Sequence, residues 1–247
     1  MEFTWKIIIW VFLIQLFCSF IKGLAGFGDP LISNPLYSML MDNKVISPMN
    51  LCLQMPLNAY VSWKNRKNFS IKGSIPVAVS ILCGVIPGTI LLKYGTSWML
   101  KALLGIVIIG IGIEMITRNR AKIVKENKIV LCIVSFFSGV TSGLFGINLF
   151  FVAYIERTSK NRDSFRGNIC FIFLIENVFR FIVYTATGIF TKNVFYLVLI
   201  ALPGMLLGFS LGTHIDKKLS DLMIRRVIIS LFMLGGTSVL IKAVLSI

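Results

Sequence analysis

The chain has 247 residues, of which 56% are hydrophobic and only 14% charged, with a mean hydropathy of +0.86. A soluble domain averages about 45–50% apolar and about 25% charged residues, so a soluble globular chain is excluded and a helical integral membrane protein is indicated. The net charge of +15 sits in short stretches between apolar runs. That reads as the positive-inside asymmetry of a membrane protein and leaves no basic domain to hold nucleic acid.

In chain order, the N-terminal "MEFTWKIIIW" lacks a basic n-region and a small-residue cleavage site, so it is expected to be a retained first helix. Residues 7–41 are apolar but interrupted by "GLAGFGDP" at 23–30, which predicts a helical hairpin with its break at the glycines. The next segment, "SPMNLCLQMPLNAYVSW", places Asn50, Gln54 and Asn58 four apart on one helix face, with Pro56 beside them as an expected kink. Apolar runs follow at Ile75–Leu92, Met99–Ile116, Ile129–Phe151, Ile169–Phe190, Val194–Leu211 and Val227–Ile241; about 20 such residues cross a bilayer as a helix. The five cysteines lie inside apolar segments without metal or redox spacing and read as buried structural residues. Glu114 reads as an interfacial residue and His214 as part of a solvated loop.

The sequence also resembles itself. At a shift of 120 residues, "GLAGFG" from Gly23 lies over "GLFGIN" from Gly143, and "CGVIPG" from Cys83 over "PGMLLG" from Pro203. At 118, "NLC" from Asn50 lies over "NIC" from Asn168; at 124, the segment from Met99 lies over that from Met223. The predicted organisation is a first membrane repeat over 1–117, a basic cytoplasmic linker over 118–128 and a second membrane repeat over 129–247.

Charge decides the handedness of the repeat. If each glycine-rich region is a hairpin that returns to its starting face, the loops at 64–72, 118–128, 157–166 and 217–226 fall on one side with 17 Lys/Arg, against 6 on the other. Lys22 and Arg180 remain within the membrane. A single crossing instead splits the basic residues 12 to 11, which no orientation rule favours. The bias is the same for a half-depth hairpin and for two full crossings. A hairpin plus three spans makes each half odd, so the halves are inverted and both termini lie outside. The fold class is therefore an all-α polytopic membrane protein of two inverted repeats, each a broken or re-entrant helical hairpin plus three transmembrane helices, the architecture of secondary transporters.

Irregular backbone survives in a bilayer only beside protein or water. Gly23, Gly26 and Gly28 permit a tight turn, and a new helix beginning near Pro30 would aim free N–H groups at the tip. With the ammonium of Lys22, this is a receptor for an anion. Gly146 and Asn148 are the counterparts in the second hairpin. Asp29 at the tip reads in three ways: as a cap for the new helix, as the neutralising partner of Lys22, or as a proton carrier. Glu176 and Arg180, four apart, make either a structural ion pair or part of a substrate pathway. In the second case Asn58, Asn177 and Arg180 are anion donors and Glu176 a second proton-coupling candidate.

The double hairpin, "G-L-A-G-F-G…P" at 23–35 and "S-G-L-F-G" at 142–146, resembles the signature of the sulfite exporter (TauE/SafE) family of anion permeases. The G-x-x-x-G pairs at Gly84/Gly88 and Gly204/Gly208 resemble that family's third-span motif. The likeness runs through both halves in order, over nearly the whole chain. Where the family has a run of glycines at each turn, this chain has Phe27-Gly28-Asp29-Pro30 and Ile147-Asn148-Leu149. The resemblance implies export or uptake of sulfite, organosulfonates or other small organic anions.

The expected function is a secondary transporter, a permease or exporter of a small anion such as sulfite, an organosulfonate or a small carboxylate, working by alternating access in the plasma membrane. The alternatives are a passive anion channel and a membrane-embedded enzyme or assembly factor. No phosphate loop, nucleophile–base pair or metal cluster is evident, so no enzyme activity, metal or cofactor is expected. The expected partners are the anionic substrate, membrane lipid and a second copy of the chain as a homodimer, with no nucleic acid. Single cysteines placed as Phe3→Cys, Lys122→Cys and Ser246→Cys should react with an impermeant maleimide in intact cells at 3 and 246 but not at 122. The reverse pattern would sink the inverted arrangement.

Overall fold

The computed structural model describes residues 5–67, 71–117, 127–146, 148, 150–152, 155 and 162–215, together with 230, 233, 237, 240 and 241. Most of the linker and most of the last expected span lie outside these. Among the described residues all regular structure is helical: α1 (Trp5–Ala25), α2 (Asp29–Ser38), α3 (Asn43–Lys64), α4 (Ile71–Tyr94), α5 (Ser97–Thr117), α6 (Lys128–Phe145), α7 (Arg162–Ala186) and α8 (Lys192–Ile215). Four of them, α1, α4, α7 and α8, are long and apolar enough to cross a membrane. The all-α polytopic class expected from composition is therefore the observed one.

The first hairpin has unequal arms. At about 1.5 Å per residue, the 21 residues of α1 reach about 31 Å, a full bilayer core, whereas the 10 residues of α2 reach about 15 Å. α3 runs as one helix through Pro48 and Pro56. The α6 start is set locally: Asn127, in an extended conformation, accepts hydrogen bonds from the Ile129 and Val130 amides, satisfying donors that a helix start leaves open.

The chain forms two compact units. The first comprises Met1–Leu53, Gly95–Arg118 and Phe190–Ile247, the second Gln54–Tyr94 and Asn119–Ile189. Each unit thus draws on both sequence halves. In the first, α1 packs along α8, and α2 packs on α1 and α5; in the second, α4 packs along α6 and also touches α7.

Lipid tails are as apolar as leucine, so helices in a membrane gain little from burying apolar area against each other and depend on close backbone approach. Glycine supplies it here. A Cβ on Gly84 would run into the Phe136 carbonyl oxygen, and one on Gly88 into that of Val140. In the first unit, Gly208 meets the Leu16 carbonyl and Gly212 that of Phe20 in the same way. The two packings correspond residue by residue. Leu16 and Phe20 precede Phe136 and Val140 by 120, while Gly84 and Gly88 precede Gly208 and Gly212 by 124.

The register expected from sequence for this helix is thereby corrected. The overlay of Cys83–Gly88 on Pro203–Gly208 matches letters but not contacts, since Gly204 packs a turn earlier, against Phe12. The packing register lays "GVIPGT" from Gly84 over "GFSLGT" from Gly208, with the threonine as an added match.

Large apolar side chains face outward along these helices, among them Leu199, Leu206 and Leu211 on α8 and Ile75, Val79 and Ile90 on α4. Such a surface is stable only against lipid. Cys18 and Cys170 are buried, but Cys83 is exposed on this surface, contrary to the expectation for all five cysteines. His214 is exposed in the last turn of α8 rather than in a loop, where a basic group suits the helix dipole.

Gly84→Ala and Gly208→Ala should each lower the melting temperature of the purified protein, by the roughly 1–3 kcal/mol of an overpacked contact. Gly110→Ala is the control: nothing lies within 4 Å of its added Cβ. Equal melting of all three would show that these contacts do not hold the helices.

Candidate functional site

In the first unit, Gly26 (φ 83°) ends α1, its amide donating to the Lys22 carbonyl at 2.7 Å. Gly28 (φ 97°) precedes α2 without a side-chain cap, and Asp29 and Pro30 open that helix. The left-handed conformation at Gly26 and Gly28 costs an L residue about 1–2 kcal/mol, so these positions suit glycine. Between them the chain reverses with only Phe27 as a spacer. Asp29 therefore stands in the first turn of a helix, where the dipole favours a carboxylate, and it is fully buried.

The Asp29 carboxylate is tied to α1. Its Oδ2 accepts from Gln15 Nε2 at 3.1 Å and Ser19 Oγ at 3.2 Å, while its Oδ1 has no hydrogen-bond partner. Gln15 Nε2 also donates to Ser19 at 2.9 Å, and the Tyr37 hydroxyl lies 3.1 Å from Gln15 Oε1 and from the Val11 carbonyl. Lys22 is 2% exposed, and its charge acts on Asp29. Asn50 of α3 clamps α2 through Ser33 (2.9 Å) and Asn34 (2.6 Å).

In the second unit, Gly146 (φ 74°) ends α6, its amide donating to the Ser142 carbonyl at 2.8 Å. This is the Gly26 cap displaced by 120 residues, with Ser142 in the place of Lys22. The cation at this cap comes from another helix. Arg180 of α7 lies against Gly146, where an added Cβ would stand 3.2 Å from both terminal guanidinium nitrogens.

Glu176, one turn before Arg180, is saturated. Its Oε1 accepts from Ser142 Oγ at 2.5 Å and Arg180 Nη1 at 3.3 Å, and its Oε2 from Asn148 Nδ2 at 2.6 Å. Arg180 Nη2 donates to the Tyr184 hydroxyl at 3.2 Å, the guanidinium lies 5.1 Å from the centre of that ring, and Tyr184 donates to the Gly143 carbonyl at 2.8 Å. Glu176 and Arg180 are each 2% exposed.

Within the first unit the structure gathers Lys22, Gly26, Gly28 and Asp29, and within the second Gly146, Asn148, Glu176 and Arg180. Asn58 and Asn177 are buried as well. The sequence reading did not single out Gln15, Ser19, Ser142 or Tyr184 as site residues. Spacing carried the signal: Gln15, Ser19 and Lys22 share a helix face, as do Glu176, Arg180 and Tyr184. Among the described residues no group of His, Cys, Asp or Glu could hold a metal ion, and the Glu114 side chain lies outside the description.

Two buried ion-bearing helix breaks in a polytopic helical bundle are the features of a membrane transporter. The family model for the sulfite exporter TauE/SafE family matches residues 11–239, so the chain belongs to that family, one of membrane transporters of the anion-exporter type. No curated protein and no solved structure matches it.

Glu176→Gln should destabilise the protein by about 3–5 kcal/mol, the cost of leaving one partner of a buried pair uncompensated. Glu176→Gln combined with Arg180→Met should recover part of that loss. Tyr184→Phe should cost about 1–3 kcal/mol by stranding the Gly143 carbonyl and one guanidinium nitrogen. Chemical denaturation in mild detergent reads all three, and additive effects of the first two substitutions would dissolve the pair.

Proposed function

We propose that the protein is a secondary transporter of a small anion, such as sulfite, an organosulfonate or a small carboxylate, working by alternating access between inverted halves in the plasma membrane, with both termini outside. The observation that carries this reading is on α7. Arg180 Nε and Asn177 Nδ2 are buried donors without a partner, three residues apart on one helix. An unsatisfied buried donor costs about 1–3 kcal/mol, more when charged, and an anion accepting from both removes that cost. The Glu176–Arg180 pair is already held by Ser142, Asn148 and Tyr184, so these donors are surplus to its structural needs.

Lys22 supports the same reading from the first unit. It is an ammonium only 2% exposed within an apolar helix, beside the Asp29 carboxylate, and ionisable residues inside a membrane mark ligand sites and pathways. The correspondence of the two glycine packings, offset by 120 and 124 residues, supports the two-repeat organisation that alternating access requires.

Thermal stability of the purified protein should rise with one member of a panel of sulfite, alkylsulfonates and small carboxylates, by about 2.7 kcal/mol at a hundredfold excess over Kd. Saturable counterflow of the same anion in proteoliposomes should follow. A panel that stabilises nothing and exchanges nothing would overturn the proposal, and non-saturating flux would mark a channel. Lys22→Met should weaken binding of the stabilising anion about tenfold to hundredfold, the loss of a contact of about 1.5–3 kcal/mol to a charged group. Wild-type affinity in a well-folded Lys22→Met protein would remove the lysine from the site.

A further inference from the structure

The chain buries two carboxylates at its helix breaks, and their surroundings differ. Every oxygen of Glu176 is occupied, by a serine hydroxyl, a carboxamide and a guanidinium. Neutralising it would strand Arg180 and leave a hydroxyl crowded among donors. Asp29 is occupied on one oxygen only. Its Oδ2 accepts from Gln15 and Ser19, the Ser33 hydroxyl stands beside the carboxylate, and its Oδ1 is buried with no hydrogen-bond partner. A buried carboxylate with one bare oxygen is the arrangement that a proton completes, because protonation turns that oxygen into a hydroxyl and removes the buried charge.

The neighbourhood suits a proton rather than a metal cation. The titratable groups facing Asp29 are Lys22 and Cys18 of α1 and Tyr37 of α2. α8, packed on α1, carries only Lys192, Tyr196 and His214, all exposed, and α5, which touches α2, carries Lys101 and Glu114. A sodium ion needs several oxygens and would keep its full charge beside the Lys22 ammonium, whereas a proton brings no extra charge centre. The Gln15 carbonyl oxygen is already approached by Tyr37. In the same unit Asn50 Oδ1 is also buried without a partner, on the side chain whose Nδ2 donates to Ser33 beside Asp29.

We propose that Asp29 takes up and releases the proton that is coupled to anion movement, while Glu176 serves as the hydrogen-bonded partner of Arg180. The bond formed is O–H at Asp29 Oδ1 and the one broken is O–H of a hydronium ion, which leaves water; no oxidant or other reactant is required. This rests on the transport reading, but its first test does not.

Infrared difference spectra of the full chain in lipid nanodiscs, without substrate, should show a neutral-carboxyl carbonyl band that grows on acidification and shifts in deuterium oxide. Asp29→Asn should abolish it, and Glu176→Gln combined with Arg180→Met, which removes both members of the ion pair, should keep it in folded protein. If Asp29→Asn fails to fold, the pair Lys22→Met (band kept) and Lys22→Met with Asp29→Asn (band lost) reads the same question. A band that survives loss of Asp29, one that disappears in the folded Glu176→Gln, Arg180→Met protein, or no titrating band overturns the assignment. In proteoliposomes loaded with sulfite, ethanesulfonate or acetate, a pH gradient should accelerate flux in the wild type and lose that effect in Asp29→Asn. Flux indifferent to the gradient, or driven by sodium, overturns the coupling. A titrating Asp29 band with no flux of any of the three anions supports the proton site and refutes the transport reading instead.

Discussion

Backbone pressed against backbone is the contact on which the described structure depends. Where the carbonyls of Leu16 and Phe20 meet Gly208 and Gly212, and those of Phe136 and Val140 meet Gly84 and Gly88, no side chain fits. Helices in lipid have little else to draw them together at this spacing. The contacts also position the chemistry, because the pressed faces belong to α1 and α6, the two helices that end at Gly26 and Gly146. Lys22 and Ser142 stand one turn before those ends, so the seating of the long arm sets the depth of each break.

The two breaks meet one requirement with different residues. Both have a left-handed glycine cap with the same hydrogen bond back to the preceding turn, and both have one buried cation and one buried carboxylate. In the first unit these come from the hairpin itself, as Lys22 and Asp29; in the second they come from α7, as Arg180 and Glu176. Moving the charges from hairpin to neighbouring helix changes their connectivity. Lys22 and Asp29 are seven residues apart across a turn, whereas Glu176 and Arg180 share one helix face and lock each other at 3.3 Å. The second break therefore has a carboxylate with both oxygens occupied and its open valences on donors, whereas the first has the open valence on the carboxylate itself.

Much of this was legible because charge is conspicuous in an apolar chain. Lys22, Asp29, Glu176 and Arg180 are the features a hydropathy reading cannot absorb, and the glycines beside them mark the breaks. The length of α2 was not legible: "LYSMLMD" reads as continuing apolar helix, and only the packing shows that it stops at Ser38. Gln15, Ser19 and Tyr184 were passed over because a neutral polar residue in a membrane helix is common and costs little when a partner is near. Their roles follow from which groups they meet across a turn or a helix. The register of α4 over α8 is ambiguous in sequence for a related reason, since glycines recur there at intervals of four and two overlays look alike until the opposing carbonyls are known.

The partnership of α1 with α8 has a consequence for synthesis. α1 leaves the ribosome well before α8, whose glycines fit its pressed face. α4 and α6 follow one another closely and can dock while α8 is still being made. At roughly 5–20 residues per second, α1 spends many seconds in the membrane before the carbonyls of Leu16 and Phe20 meet their glycines. Its polar residues Gln15 and Ser19 wait only for α2, which brings Asp29 and Tyr37, while Ile9, Leu13 and Phe17 face outward from the start.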